Sequence, residues 1–217
     1  MLSTTKHSLT HRANDVDACL HVPNGRSGEG FDYDTDSADY WLVEISGLPS
    51  GLSADMLRYT TMHAAQGFTR YHYRGMLVGS AFRYQAAGVL SPVNLWALWD
   101  DFAIQESEMI GWWAETEQGP GAMPVKLSSK DYLATVYLHR AKQQALIVIA
   151  DWSNDLGNYT TSLSLACNWT ALGLSPTTTK LHVPQVLPFQ TENVGMFDPD
   201  HVFRISAAQG GLLVIAK

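Results

Sequence analysis

Cysteine is nearly absent from these 217 residues: there are two, Cys19 and Cys167, far apart and without metal-ligand spacing. A pair so placed makes neither a disulfide framework nor a thiolate metal site, and a bridge between them is not expected. Charge is scarce as well, at 16% of residues against 46% hydrophobic. That balance excludes a disordered chain and supplies a substantial core. Basic residues are outnumbered, 14 Lys and Arg to 21 Asp and Glu, for a formal net charge of −7. With no Lys/Arg stripe to neutralise a phosphate backbone, nucleic acid is not an expected partner. No apolar run reaches transmembrane length, so no membrane partner is expected. The N-terminal stretch MLSTTKHSLTHRANDVDACL shows no apolar signal-peptide core, and the compartment stays open. A Gly-rich phosphate loop and a GxSxG nucleophile elbow are both missing. His7 and His11 are spaced i, i+4 but lack the glutamate of a zinc-protease helix, so neither metal nor other cofactor is expected.

Aromatic residues are plentiful, with seven Trp, nine Tyr and seven Phe. Such rings serve packing or, on a surface, the stacking of sugars. Residues 1–27 are polar and without periodicity, and read as a poorly ordered leader. Trp41 to Ser46, WLVEIS, reads as a short buried strand. Residues 52–61, LSADMLRYTT, read as a helix capped by Ser53. Residues 63–74 read as an aromatic loop, and GMLVGSAF, 75–82, as a second apolar strand. NLWALWDDF then places Leu95, Leu98, Trp99 and Phe102 on one helical face. The order strand, helix, strand, helix predicts parallel α/β units. From Tyr132 the apolar period becomes two, through Ala134, Val136 and Leu138. ALIVIADW, TTSLSLA, KLHVPQV, HVFRIS and GLLVIA follow as short strands between turn-forming residues, the pattern of an antiparallel sandwich. Two consecutive strand–helix units cannot close a barrel, so an unpaired sheet edge and self-association through it are expected.

A set of motifs in fixed order carries a resemblance. They are Gly28-Glu29-Gly30-Phe31, Tyr40-Trp41-Leu42-Val43-Glu44-Ile45-Ser46-Gly47, Gly51-Leu52 with Met56-Leu57, Arg74-Gly75-Met76, Leu98-Trp99-Asp100-Asp101-Phe102, Met109-Ile110-Gly111-Trp112-Trp113, Leu133-Ala134-Thr135-Val136-Tyr137 and the closing GGLLVI. Over most of residues 28–217 the chain resembles the C-terminal part of large glycoside-hydrolase-like proteins. These are similar in layout to glycoside hydrolase family 123, a (β/α)8 barrel followed by a β-sandwich. After the polar leader at 1–27, the resemblance implies the last β/α units of the barrel at 28–111 and the sandwich at 112–217. It also implies a family exported from the cell. Ser50 stands where the family usually carries an aromatic residue, and residues 1–27 do not resemble the barrel chain that should come before Gly28.

In such a barrel the strand C-termini and the loops after them form the active-site face. That is where Glu44, inside an otherwise apolar strand, and Glu29, in the loop before it, fall. Glycosidases use a pair of carboxyl groups, one as acid and one as base or nucleophile, unless a substrate amide takes the second role. Desolvation against Trp41 or Phe31 favours the protonated form that an acid requires. The competing reading of Glu44 is a hydrogen-bonded group that fixes the turn at Gly47. Glu29 and Glu44 are thus the candidate catalytic residues, and Trp41, Asp32 and Arg74 the candidate substrate-binding ones. Asp32, Asp34 and Asp36 fail as a calcium loop, because its sixth position is Ser37 and its twelfth Val43. The expected function is hydrolysis of O-glycosidic bonds of a carbohydrate by carboxylate chemistry, with this chain alone weak or inactive. The alternatives are a non-catalytic carbohydrate-binding or scaffold sandwich and a truncated product.

Overall fold

The computed structural model describes residues 70–77, 93–114, 122–153, 159–188 and 190–217. All of them belong to one compact unit, Ser37–Lys217. The strand expected at Trp41 to Ser46 and the helix after it lie outside the described residues.

Among the described residues nine strands form two antiparallel sheets. In chain order they are β1 (Glu108–Ile110), β2 (Val125–Leu127), β3 (Tyr132–His139), β4 (Gln144–Asp151), β5 (Thr160–Cys167), β6 (Leu181–Val183), β7 (Gly195–Phe197), β8 (Val202–Ser206) and β9 (Gly211–Ala216). The large sheet has the order β1-β3-β4-β9-β6-β7, and the small one β2-β5-β8. The hairpin β3–β4 is the longest pairing, from Tyr132 opposite Asp151 to His139 opposite Gln144. Its polar connection closes with Gln143 N donating to Arg140 O, and Gln143 takes φ 51° to make the turn. The strands expected from Tyr132 onward are all present. β1, β2 and β7, three residues each, are too short for an alternation to register.

Period-two patterning sets the layer between the sheets. Tyr132, Ala134, Val136 and Leu138 of β3 meet Ile147 and Ile149 of β4, Leu212 and Val214 of β9, and Leu163, Leu165, Phe203 and Ile205 of the small sheet. The alternate residues of the large sheet build a second core. Tyr137, Leu146, Val148, Ala150, Leu213 and Ile215 face helices α1 (Arg70–Met76) and α2 (Val93–Phe102), which contribute Tyr73, Met76, Leu95 and Phe102. The described residues thus form three layers: small sheet, large sheet, helices.

α1 corrects two expectations. Residues 70–74 are helical and not loop, and the apolar run expected to open a strand at Gly75 is the end of this helix, with Leu77 in the turn after it. Tyr73, Met76 and Leu77 lie at i, i+3, i+4, so one helical face buries all three against β4 and β9. A helix end leaves carbonyls without intrahelical partners. Here β3 supplies the donors: Tyr137 OH reaches Met76 O at 2.9 Å, and Thr135 Oγ1 reaches Leu77 O at 2.8 Å. The Tyr73 ring lies where a side chain at Gly211 would be, so β9 needs a glycine at that point. Tyr73 OH donates to Gln190 Oε1 at 3.1 Å. The buried Gln190 amide also accepts from Leu213 N (2.7 Å) and donates to Leu213 O (3.2 Å) and Pro184 O (2.7 Å). It stands in for a strand beside β9 beyond the end of β6.

α2 lies where the apolar spacing places it, with Leu95 and Phe102 buried and Leu98 and Trp99 partly buried. β1 is hydrogen-bonded to β3 and lies upstream of residue 112. A strand and a helix ahead of residue 112 are therefore already part of the sandwich layers. The small helix α3 (Trp169–Leu172) shows local control: Asn168 Oδ1 accepts from Ala171 N at its start, and Gly173 ends it at φ 69°. Cys167 is a free thiol whose pKa burial pushes up to about 11, which makes it a poor nucleophile near neutrality.

Candidate functional site

Glu29, Glu44, Trp41 and Asp32 lie outside the described residues. Arg74, on α1, is fully buried. Its Nε donates to Asp151 O at 2.7 Å and its Nη2 to Ser153 O at 2.9 Å. The guanidinium carbon stands 4.9 Å from the centroid of the Trp152 ring, a cation–π contact. Arginine suits this place because its planar fork serves two carbonyls and an aromatic face together.

Around it the end of β4 is a polar cluster. Asp151 is buried; its Oδ1 accepts from Ser153 N at 2.7 Å and its Oδ2 accepts from Tyr159 OH. Ser153 Oγ and Tyr159 OH lie 2.9 Å apart. Trp152 stacks on Trp112 at 6.3 Å and 28°, and Trp113 meets Trp112 edge-on at 4.6 Å. The Trp113 ring folds back over Gly111 and occupies the space a Cβ would need there. What this arrangement does is mechanical and electrostatic. It holds α1 to the end of β4, while Trp113 leaves 43% of its surface exposed.

A second constellation lies at the far corner of the sandwich and has no counterpart in the sequence reading. β7 leaves the large sheet, Asp198-Pro199-Asp200-His201 turns, and β8 enters the small one. His201 N donates to Asp198 O at 3.1 Å, closing a β-turn with aspartate first and proline second. Register brings in Lys180: Leu181 pairs with Phe197, so the next residue out on each strand is Lys180 or Asp198, and these form an ion pair. The lysine holds the Asp198 carboxyl below its ordinary pKa, by hydrogen bond first and charge second. Phe197 and His201 stack at 4.2 Å and 28°, with Phe203 edge-on to both. Lys180, Met196, Phe197, Asp198, Asp200 and His201 line an open cavity of about 440 Å³. The Asp-Pro-Asp turn was the legible signal; the partner across the strand was not. Among the described residues no group of three or more His, Cys, Asp or Glu is placed to hold a metal ion.

Residues 91–216 match the family model described as glycoside hydrolase 123, C-terminal domain, and residues 21–85 match glycoside hydrolase 123, TIM-barrel domain. The chain belongs to the glycoside hydrolase 123 family, and the barrel match takes in α1 and Arg74. A search of curated proteins finds no match.

Proposed function

We propose that this chain serves a glycosidase that cleaves O-glycosidic bonds of a carbohydrate, with Glu29 and Glu44 as its carboxylate pair. The observation that carries the reading is the barrel-domain match over residues 21–85, which contains both glutamates, Trp41, Asp32 and Arg74. Barrel enzymes draw their catalytic groups from strand C-termini and the loops beyond. A paired acid and base, or acid and nucleophile, is what glycoside cleavage requires. Arg74 then acts from behind, by holding the barrel-derived helix on the sandwich, and Trp41 and Asp32 contact the sugar.

Catalysis also needs several groups held around one pocket. Residues 21–85 are far fewer than the ~250 of a full barrel. This chain by itself is therefore expected to turn over aryl glycosides weakly or not at all. The test is an assay of the purified chain on a panel of aryl glycosides beside Glu29→Gln and Glu44→Gln. Robust turnover lost in either variant establishes that glutamate as catalytic and refutes the need for further barrel chain. Turnover untouched by both removes the pair from the mechanism.

A further inference from the structure

We propose that the corner lined by Lys180, Phe197, Asp198, Asp200 and His201 is a carbohydrate-binding subsite, separate from the glycosidic centre. The choice of carbohydrate among polar ligands rests on the glycoside-hydrolase reading; the existence of the site rests on geometry. Its volume of about 440 Å³ falls in the range of about 300–1,000 Å³ typical of small-molecule sites.

The lining chemistry narrows the occupant. Two carboxylates face one ammonium, so an anion would meet net repulsion. A purely apolar ligand would strip water from charged groups and return no hydrogen bond. A sugar ring offers both surfaces the corner needs. Its C–H face packs on the Phe197–His201 pair and the half-exposed Met196, and its hydroxyls donate to carboxylates. The Asp200 carboxylate is exposed and holds no ion pair or hydrogen bond among the described residues, so it is ready to accept from a hydroxyl pair. Asp198 is held ionised by Lys180, and the ammonium keeps further N–H groups for ring or hydroxyl oxygens.

The corner is also set before a ligand arrives. Pro199 and the His201 N to Asp198 O bond fix the turn, cross-strand register fixes Lys180, and Phe203 props both stacked rings. A preformed site loses little freedom on binding. It lies where the chain passes from the edge strand β7 to the small sheet.

The experiment is site-resolved. Backbone amide spectra of the whole chain carrying Glu29→Gln are titrated with the methyl glycosides of glucose, galactose, mannose and N-acetylglucosamine, each alone. Saturable shifts are expected at the amides of residues 196–198, 200 and 201 with at least one sugar. Adding Asp200→Ala and Lys180→Ala, both at exposed positions, is expected to weaken that response about tenfold or more, since each removes a charge-assisted hydrogen bond, while the melting temperature holds. Shifts absent from residues 196–201 for every sugar, or undiminished in the double variant, overturn the subsite. The glycosidase reading is scored separately, by turnover in the chain without Glu29→Gln. Turnover lost in either glutamate variant without corner binding sinks only the subsite, and corner binding with turnover untouched by both variants sinks only the catalytic pair.

Discussion

The two sheets of the sandwich are written in different sequence. β5, TTSLSLAC, and β8, VFRIS, alternate: Leu163, Leu165, Phe203 and Ile205 turn inward while Ser162 and Arg204 face outward. β4, QALIVIAD, and β9, GLLVIA, are apolar almost throughout, and every residue of β4 from Ala145 to Asp151 is buried. An antiparallel sheet with one wet face alternates; a sheet covered on both faces reads as a continuous apolar run. The small sheet is half of an ordinary sandwich. The large sheet has a second partner, and that partner is the chain upstream: α1 and α2. The domain match beginning at residue 91 takes in α2, but α1 falls within the match to the barrel domain. One face of the sandwich is therefore finished in part by residues within the match to the barrel domain.

The severest way to break this contrast is to cut the chain. A piece beginning at Glu108 keeps both sheets but uncovers Leu146, Val148, Leu213 and Ile215. A contiguous apolar face of this kind drives association. That piece is expected to be insoluble or to bind a hydrophobic dye strongly, whereas one beginning at Ser37 is not. Equal solubility of the two would show that the helices are dispensable covers.

The same charge placed on the outer face of each sheet should separate them next. Val148→Asp buries a carboxylate under the helices and is expected to cost at least about 4 kcal/mol, or to prevent folding. Ser162→Asp faces solvent opposite Arg204 and is expected to stay within about 0.5 kcal/mol of the parent. Chemical denaturation of both measures the difference.

A smaller effect is expected at the polar end of the helix layer. Arg74→Met keeps the volume but leaves Asp151 O and Ser153 O without their charged donors. The loss is expected to be about 2–4 kcal/mol, seen as a drop of about 5–15 °C in melting temperature. Arg74→Lys restores charge without the fork and is expected to recover only part of it.

The gentlest probe is pH. Burial raises the Tyr73 phenol well above its ordinary value of 10.0, and the charge of Glu192 adds to this against the hydrogen bond with Gln209. In the unfolded chain this phenol loses its proton near pH 10, and in the folded chain only at higher pH. Stability from the neutral phenol is thus complete below pH 10 and declines as pH rises beyond it. Denaturation midpoints followed from pH 8 to 11 are expected to fall less steeply in Tyr73→Phe. A slope identical to the parent's would mean that the phenol is not held in the helix layer as described.

What the sequence determined by itself were features decided within a few residues. Period-two alternation from Tyr132 and turn residues between short apolar runs specify the strands. Leu95 and Phe102 at helical spacing specify α2. Gly75-Met76-Leu77 reads as the start of a strand because three apolar residues fit either period. The helix follows from what lies beneath it: Thr135 and Tyr137 of β3 take its last carbonyls, and Gly211 of β9 makes room for Tyr73. Likewise no local signal joins Lys180 to Asp198; the register of β6 with β7 does. Local propensity acts over a turn or a strand, while burial and cross-strand pairing act between residues far apart in the chain. Only the tertiary structure could therefore decide which apolar runs have two covered faces and which charged residues meet.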